Sequence, residues 1–558
     1  MKYLKKYSIG ELLSIAAFIF SALFFFIRIY PIIFAVHDDM RTYTLVRNHE
    51  LLQNAVDSAK NGRISHLWNH ILLGIPFIPG KVWFYKLFAY GTCLFDVWAM
   101  WLLVSRHIDR SLAWLSAAAV MSFATISASH NLFISYALCH QLPIGLALLS
   151  LHLFLKGLDK PKKTRTAASC VLFLAACMIY EAFIPFVIVF AAAAAVKCRD
   201  GKSFPAYILA VLRKILPQLI TALAYAAVYF TWQHFYPPSY AGTSLYLHEP
   251  FLSLEAVGTY SLSMFPLAQL YYLAERTEVT AGIFVRSITA PGIIKAVLIA
   301  AAAAAVIVQS SRKVRFKGLM PVLLLGIFVP NLLIGFSEKY VSSLKKGVIS
   351  YLSSFYSYLF LMAVLCGLCM IVYRSLNSKG LRILGVSVIS CVVVFLSLSS
   401  DYVVKYWGDY YIEADRRYKN FDRAVSSETI VSCDSGWQIY APDNAGIHAL
   451  ESYTLDYIGI YDDTPAGGYT DKAGQLSEGK ETMCMRSDED YLLMAVGEVD
   501  EELHADEVTI VTVLPGTFDV IMHTGSGEEI MYEDAADSYI LTAPEGDSFD
   551  MSVRIEVK

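Results

Sequence analysis

The chain has 558 residues, 56% of them hydrophobic and only 17% charged, and its mean hydropathy is +0.48. Ordinary soluble domains run at roughly 45–50% apolar and about 25% charged residues. The formal charge of −4 hides two opposite regions: residues 1–400 hold 35 Lys+Arg and 15 Asp+Glu, a net +20, whereas residues 401–558 hold 10 and 34, a net −24. A single soluble domain, a disordered chain and a basic nucleic-acid binder are thereby excluded.

A spanning helix needs about 20 mostly apolar residues. The apolar runs predict eleven spans, near 11–34, 82–104, 111–128, 142–156, 166–180, 182–196, 216–235, 291–310, 318–336, 352–373 and 381–400. Alternate connections are basic, carrying Lys2, Lys5 and Lys6; Arg106 and Arg110; Lys156 to Arg165; Lys197 to Lys214; Arg312 to Lys317; and Arg374, Lys379 and Arg382. These hold 22 of the 35 basic residues, so the positive-inside rule predicts a cytoplasmic N-terminus and an acidic tail outside. The first span is too long for a signal-peptide core and lacks a small-x-small cleavage site, which makes it an uncleaved anchor. The expected organisation is a polytopic α-helical membrane domain over 1–400 and an acidic, extracytoplasmic, mainly-β domain over 401–558.

The long outside loops are 35–81, 236–290 and 337–351. In the first, Leu45, Leu52, Val56 and Ala59 recur at helical spacing up to Gly62, and Ile64, Leu67, Trp68, Ile71 and Leu72 repeat the pattern. Two amphipathic helices lying in the interface are predicted there, with a third over Phe251 to Leu273. The sharpest polar feature is His37-Asp38-Asp39-Met40-Arg41, directly after the first span. Adjacent carboxylates at a membrane surface repel one another, which suits a general base beside a cation partner; a solvated loop end is the plainer alternative.

On Asp38-Asp39, on Asn61-Gly62-Arg63 and on Tyr180-Glu181-Ala182-Phe183 at the turn between spans five and six, the chain resembles the glycosyltransferase C superfamily. Within it, the chain is similar to bacterial O-antigen glucosyltransferase II-type proteins over roughly residues 1–400. The resemblance implies inverting transfer of a sugar, a hexose such as glucose, from a polyprenyl-phosphate donor to an envelope polysaccharide or other glycan on the outer face. It implies Asp38 as base and Asp39 as its partner, or the reverse order; His37, Tyr180 and Glu181 are the expected substrate contacts, with His140 of the loop near 129–141 a further candidate whose plainer alternative is exposed loop polarity. The leaving phosphate needs cations; Arg41, Arg63, Lys339, Lys345, Lys346 and Arg28 are the basic residues expected on that side. Arg28, inside the outer end of the first span, pairs with Glu181, reaches the phosphate or snorkels to the headgroups. No cofactor is required, although Asp39 could help hold a divalent cation such as Mg²⁺ or Mn²⁺. The expected partners are the lipid-linked donor, the glycan acceptor and membrane lipids, with no nucleic acid; the oligomeric state stays open.

Asp96, within span two, fits a transferase poorly and suits the alternative of a secondary transporter or lipid-linked-sugar flippase. That alternative predicts inverted repeats, and no clear repeat relates residues 1–200 to 201–400. A third reading is a membrane anchor that only displays the tail. Trp68, Trp83, Trp232 and Tyr271-Tyr272 suit either sugar stacking or an interfacial aromatic belt. In the tail, a helix is predicted from Asp409 to Ala424, turns at 441–446 and 464–468, and strands over 508–514, 518–522, 538–542 and 551–557, consistent with a small β-sandwich. Cys366-x-x-Cys369 reads as two small apolar residues in a span, and a disulfide between Cys433 and Cys484 stays open.

Overall fold

The computed structural model describes residues 7–32, 37–127, 130–198, 203–310, 318–426 and, in the tail, 438–440, 469–470, 482–487, 492–497, 507–511, 518–524, 526–527, 529–535, 538–542 and 549–557. It divides into two compact units: residues 1–31 with 49–408, and residues 32–48 with 409–558. Along α19 the two units meet at 408/409, and the segment that carries Asp38-Asp39 groups with the second unit.

The first unit opens with α1 (Ile9–Ile29), started by a capping box in which Ser8 and Glu11 satisfy each other's backbone N–H groups. The segment His37–Arg47 forms α2, which belongs to the second unit. The interfacial helices follow as α3 (Leu51–Lys60) and α4 (Ser65–Gly74), then α5 (Val82–His107), α6 (Arg110–Ser122) and α7 (Leu142–Asp159). Next come α8 (Lys163–Ile179), a 3-10 turn at Glu181–Phe186, α9 (Val187–Lys197) and α10 (Phe204–Phe235). The long 236–290 connection holds α11 (Pro250–Leu262), α12 (Pro266–Ala274) and α13 (Ala281–Arg286). The unit continues with α14 (Ala290–Ser310), α15 (Met320–Phe328), α16 (Leu332–Gly335), α17 (Glu338–Lys345), α18 (Ser354–Ser375) and the start of α19 (Lys379–Ser426).

Each of the eleven predicted spans contains helix among its described residues. Among the described residues, seven helices are long and apolar enough to cross a membrane: α1, α5, α7, α10, α14, α18 and α19. The other four runs fold as shorter pieces, α6, α8, the 3-10 turn with α9, and α15 with α16. Pro185 and Pro330 sit in the 3-10 turns of the last two, where a missing N–H and a fixed φ break a continuous helix. The chain is a multi-pass membrane protein with apolar residues such as Ile27, Leu223 and Val388 turned outward along its spans.

The short connection between α6 and α7 is buried where it is described. Residues 130–141 are packed into the unit without regular helix, and His130, Tyr136 and Leu138 adopt positive φ of 54°, 56° and 65°. Irregular backbone at such depth needs side chains to satisfy its polar groups. Tyr85 donates to the carbonyl of Ile134, Gln141 to that of Leu132, Tyr356 to that of His140, and Asn131 both donates to Thr125 O and accepts from Phe133 N.

In the second unit α19 continues to Ser426, so the last span and the predicted tail helix are one helix. Two sheets follow. The larger orders β1 (Gln438–Tyr440), β2 (Tyr469–Thr470), β3 (Thr482–Ser487), β4 (Leu492–Gly497), β5 (Glu507–Val511) and β8 (Ser538–Thr542) as β2-β1-β3-β4-β5-β8. Its pairs are antiparallel except β1 with β2 and β3. The smaller is antiparallel, β7-β6-β9, from β6 (Phe518–Thr524), β7 (Glu529–Ala535) and β9 (Phe549–Val557). In β5, Val508 and Ile510 are buried on either side of the half-buried Thr509, a period of two on one covered face, whereas in β6 Val520, Ile521 and Met522 are all buried. The predicted turns at 441–446 and 464–468, and Cys433, lie outside the described residues.

Candidate active site

The polar centre of the first unit is built by Gly62. Its φ of +87° lets the chain turn after α3, and a Cβ there would come within 2.6 Å of Pro238. Trp232 of α10 donates to the carbonyl of Ala59 at 2.7 Å, fixing the end of α3 against the C-terminal end of α10. The next residue, Arg63, is therefore held in one place. Its Nε and Nη2 donate to Oε1 of Glu181 at 2.9 and 2.7 Å, and Ser65 Oγ donates to the other carboxylate oxygen at 2.6 Å.

Arg63 also lies over the Tyr240 ring, 5.4 Å from its centroid. Lys339 donates to Tyr240 Oη at 2.8 Å, Tyr240 and Tyr340 share a hydroxyl hydrogen bond of 3.2 Å, and Tyr340 donates to Tyr351 at 2.5 Å. Burial alone opposes the guanidinium charge. Glu181 and the phenols of Tyr340, Tyr180 and Tyr351 outweigh that and raise its pKa above the ordinary arginine value. Burial likewise raises the Tyr340 and Tyr351 hydroxyls, keeping both phenols protonated donors.

These groups border a cavity of about 220 Å³. Arg63, Glu181, Tyr240 and Tyr340 form its polar end, and Phe230 and Leu245 border it as exposed apolar side chains. Phe230 lies five residues from the end of α10, about 7.5 Å along the helix. The polar end is thus reachable from the lipid-facing side of a spanning helix. Backbone bonds from Tyr246 N to Phe336 O (2.7 Å) and Glu338 N to Ser244 O (3.0 Å) pin the 241–246 segment to the start of α17.

Beside this cavity stands a histidine group. His140 is buried, its ring 4.7 Å from that of Tyr180 and its Nε2 3.5 Å from Asn69 Nδ2. The rings of His66 and His70, one turn apart on α4, meet edge to face at 5.2 Å. Burial first, then the charge of Arg63, pushes the His140 pKa down to about 3 and His66 well below the usual histidine range. Both rings are neutral at pH 7 and offer one donor and one acceptor nitrogen each.

The structure therefore brings together Arg63, Tyr180, Glu181, His140 and Lys339. Lys345, Lys346 and Arg28 lie outside this group. Lys345 turns to Glu249 (2.9 Å) and Tyr246 (3.1 Å) in an exposed cluster, and Lys346 is exposed at the end of α17. Glu181 is paired with Arg63, not with Arg28, which approaches the Phe24 ring at 5.3 Å. Asp38, Asp39 and Arg41 lie on α2 in the second unit, where Asp39 is fully buried and Thr42 Oγ1 donates to the carbonyl of Asp38 at 2.7 Å. His37 begins that helix. Among the described residues no group of three or more His, Cys, Asp or Glu side chains is arranged to hold a metal ion.

Sequence reasoning missed Ser65, Tyr240, Tyr340 and Tyr351. Ser65 carries a local signal, two residues after Arg63 at the start of α4; Tyr240 is 100 residues from Tyr340, and nothing local marks the three tyrosines.

No family model matches the sequence, and no curated protein does. Among solved structures, the chain is similar to the oligosaccharyltransferase of Archaeoglobus fulgidus in its apo form, with a TM-score of 0.37 and 10% identity over 82% of this chain and 65% of that one. The archaeal oligosaccharyltransferase AglB from the same organism, in complex with an inhibitory peptide and a dolichol-phosphate, gives 0.38 and 12% over 81% and 64%. The A. fulgidus enzyme with Zn and sulfate gives 0.34 and 11% over 79% and 61%. The chain thus covers less than two thirds of these archaeal chains, and similarity at TM-scores below 0.5 carries no argument about chemistry.

Proposed function

We propose that the chain is an integral-membrane glycosyltransferase that moves a hexose from a polyprenyl-phosphate donor to a cell-envelope glycan on the outer face. The observation that carries this reading is Arg63, locked by Glu181 and Ser65 at the polar end of a cavity bordered by the exposed Phe230 of a spanning helix. A positioned guanidinium there suits a lipid-linked phosphate. Its polyprenyl chain stays in the bilayer while the phosphate reaches the polar end. Nucleotide sugars are absent outside the cytoplasm, so a donor used there arrives on a lipid.

In this reading the acceptor hydroxyl oxygen attacks the anomeric carbon as the bond to phosphate oxygen breaks. The hydroxyl proton passes to a carboxylate, assigned to Asp38 with Asp39 as its partner, and polyprenyl phosphate leaves with the bonding electrons. One displacement inverts the anomeric centre. Arg63, with Lys339 behind Tyr240, offsets the charge that gathers on the leaving phosphate. The neutral rings of His140 and His66 and the phenols of Tyr180 and Tyr340 suit sugar hydroxyls, which both donate and accept.

Transfer of labelled hexose from a synthetic polyprenyl-phosphate sugar, assayed in detergent, tests the reading. Loss in Asp38→Asn or Asp39→Asn and in Arg63→Gln is expected; full activity in both aspartate variants would sink the catalytic assignment. A second reading, a transporter or flippase, is favoured by Asp96, fully buried in α5 against Gly145 of α7. It predicts that collapsing the proton gradient across vesicles abolishes function and that Asp96→Asn does the same.

A further inference from the structure

A second cationic centre lies in the first unit, apart from the Arg63 cavity. Lys295 of α14 is buried and donates to Oδ1 of Asp401 on α19. Gly292, one turn before Lys295, makes room for this carboxylate: a Cβ there would stand 2.8 Å from Asp401 Oδ2. Arg28 of α1 completes the group, close enough for its charge to act on both Lys295 and Asp401. Phe24, one turn before Arg28, faces both cations, with Arg28 5.3 Å and Lys295 5.8 Å from the ring centroid.

Stoichiometry and depth give the centre its meaning. Two cations share one carboxylate that Lys295 already engages, and among the described residues Arg28 makes no ion pair within 4 Å. Arg28 is one residue, and Lys295 five residues or about 7.5 Å, from the same end of the bundle. In the orientation set by the basic connections this is the outer leaflet. Around them Leu23, Ile27, Ile293, Ile294 and Val297 are exposed, so the surplus charge opens among lipid-facing side chains. A guanidinium there is costly unless an anion meets it, and its planar fork suits a phosphate.

We propose that Arg28, backed by the Lys295–Asp401 pair, binds the phosphodiester of an anionic outer-leaflet lipid at a site separate from the Arg63 cavity. One net positive charge meets one net negative headgroup. The site does not depend on the transferase reading, since it involves neither Arg63 nor α2.

Native mass spectrometry of the full-length detergent-solubilised protein, titrated with phosphatidylglycerol, tests this. The wild type is expected to retain the lipid, Arg28→Gln to lose at least fivefold in bound fraction, Arg28→Lys to bind better than Arg28→Gln, and Arg63→Gln to match the wild type. Neutral diacylglycerol should not be retained. Equal retention by Arg28→Gln would overturn the proposal, as would no gain from lysine over glutamine. Displacement by equimolar inorganic phosphate would overturn the lipid assignment in favour of a free-anion site.

Discussion

Arg63 and Arg28 carry the same charge at the same end of one unit, yet their surroundings assign them different work. Arg63 has a carboxylate of its own, engaged through two nitrogens, plus an aromatic face and a cavity. Arg28 shares a carboxylate that a lysine already engages and stands among exposed aliphatic residues. A one-to-one pair fixes the guanidinium's geometry, so Arg63 meets a ligand that enters the cavity as a positioned charged donor. A two-to-one cluster leaves charge unspent. Position along the sequence made both arginines phosphate candidates; only the count of partners separates them.

The largest expected effect lies at Arg63. Arg63→Gln should lower sugar transfer by about 10²–10³-fold, the usual consequence of removing a positioned donor from a developing charge. Arg28→Gln should leave transfer within a few-fold of wild type, and equal losses in the two variants would erase the distinction. Glu181→Gln leaves a largely buried guanidinium without its partner and should cost about 3 kcal/mol of stability, read as a fall in thermal midpoint in detergent. Lys295→Met should cost a similar amount by stranding Asp401, and Lys295→Met with Asp401→Leu should recover most of it.

A pH series sharpens the picture around Arg63. The folded pKa of His140, about 3, lies below the ordinary value near 6.5, so the unfolded state binds more protons between those limits. Stability is therefore full above pH 6.5 and falls as the pH drops below it. Thermal midpoints from pH 7.5 to 5 should decline, and less steeply in His140→Gln. The smallest effect is expected at Lys345. Its contacts with Glu249 and Tyr246 are exposed, and Lys345→Ala should leave transfer and thermal midpoint unchanged within error.

The helical body was legible because each span is a long apolar run, and the tail strands at 507–511, 518–524, 538–542 and 549–557 were legible from their alternation. Breaks inside the runs were harder, since Pro185 and Pro330 act through a single missing N–H that hydropathy does not register. The burial of the 130–141 loop was not legible. Its burial depends on Tyr85 and Tyr356, about 50 and 220 residues from the carbonyls they satisfy, and no local pattern shows such partners. Glu181 and Arg63 were both legible as charges at span ends, but their pairing was not: Arg28 competed for the same carboxylate on equal terms in the sequence. Asp401 and Lys295 did carry a signal, as opposite charges at the ends of two apolar runs. Recognising them as partners needed the packing of α14 and α19.

The central claim is that Arg63 serves a lipid-linked phosphate in a transfer reaction. The most direct test gives purified full-length protein a radiolabelled polyprenyl-phosphate hexose with an envelope glycan acceptor and compares the wild type with Arg63→Gln and Arg63→Lys. Labelled, inverted product from the wild type, a loss of two to three orders of magnitude in Arg63→Gln and partial return in Arg63→Lys are expected. Equal product from the wild type and Arg63→Gln would contradict the account.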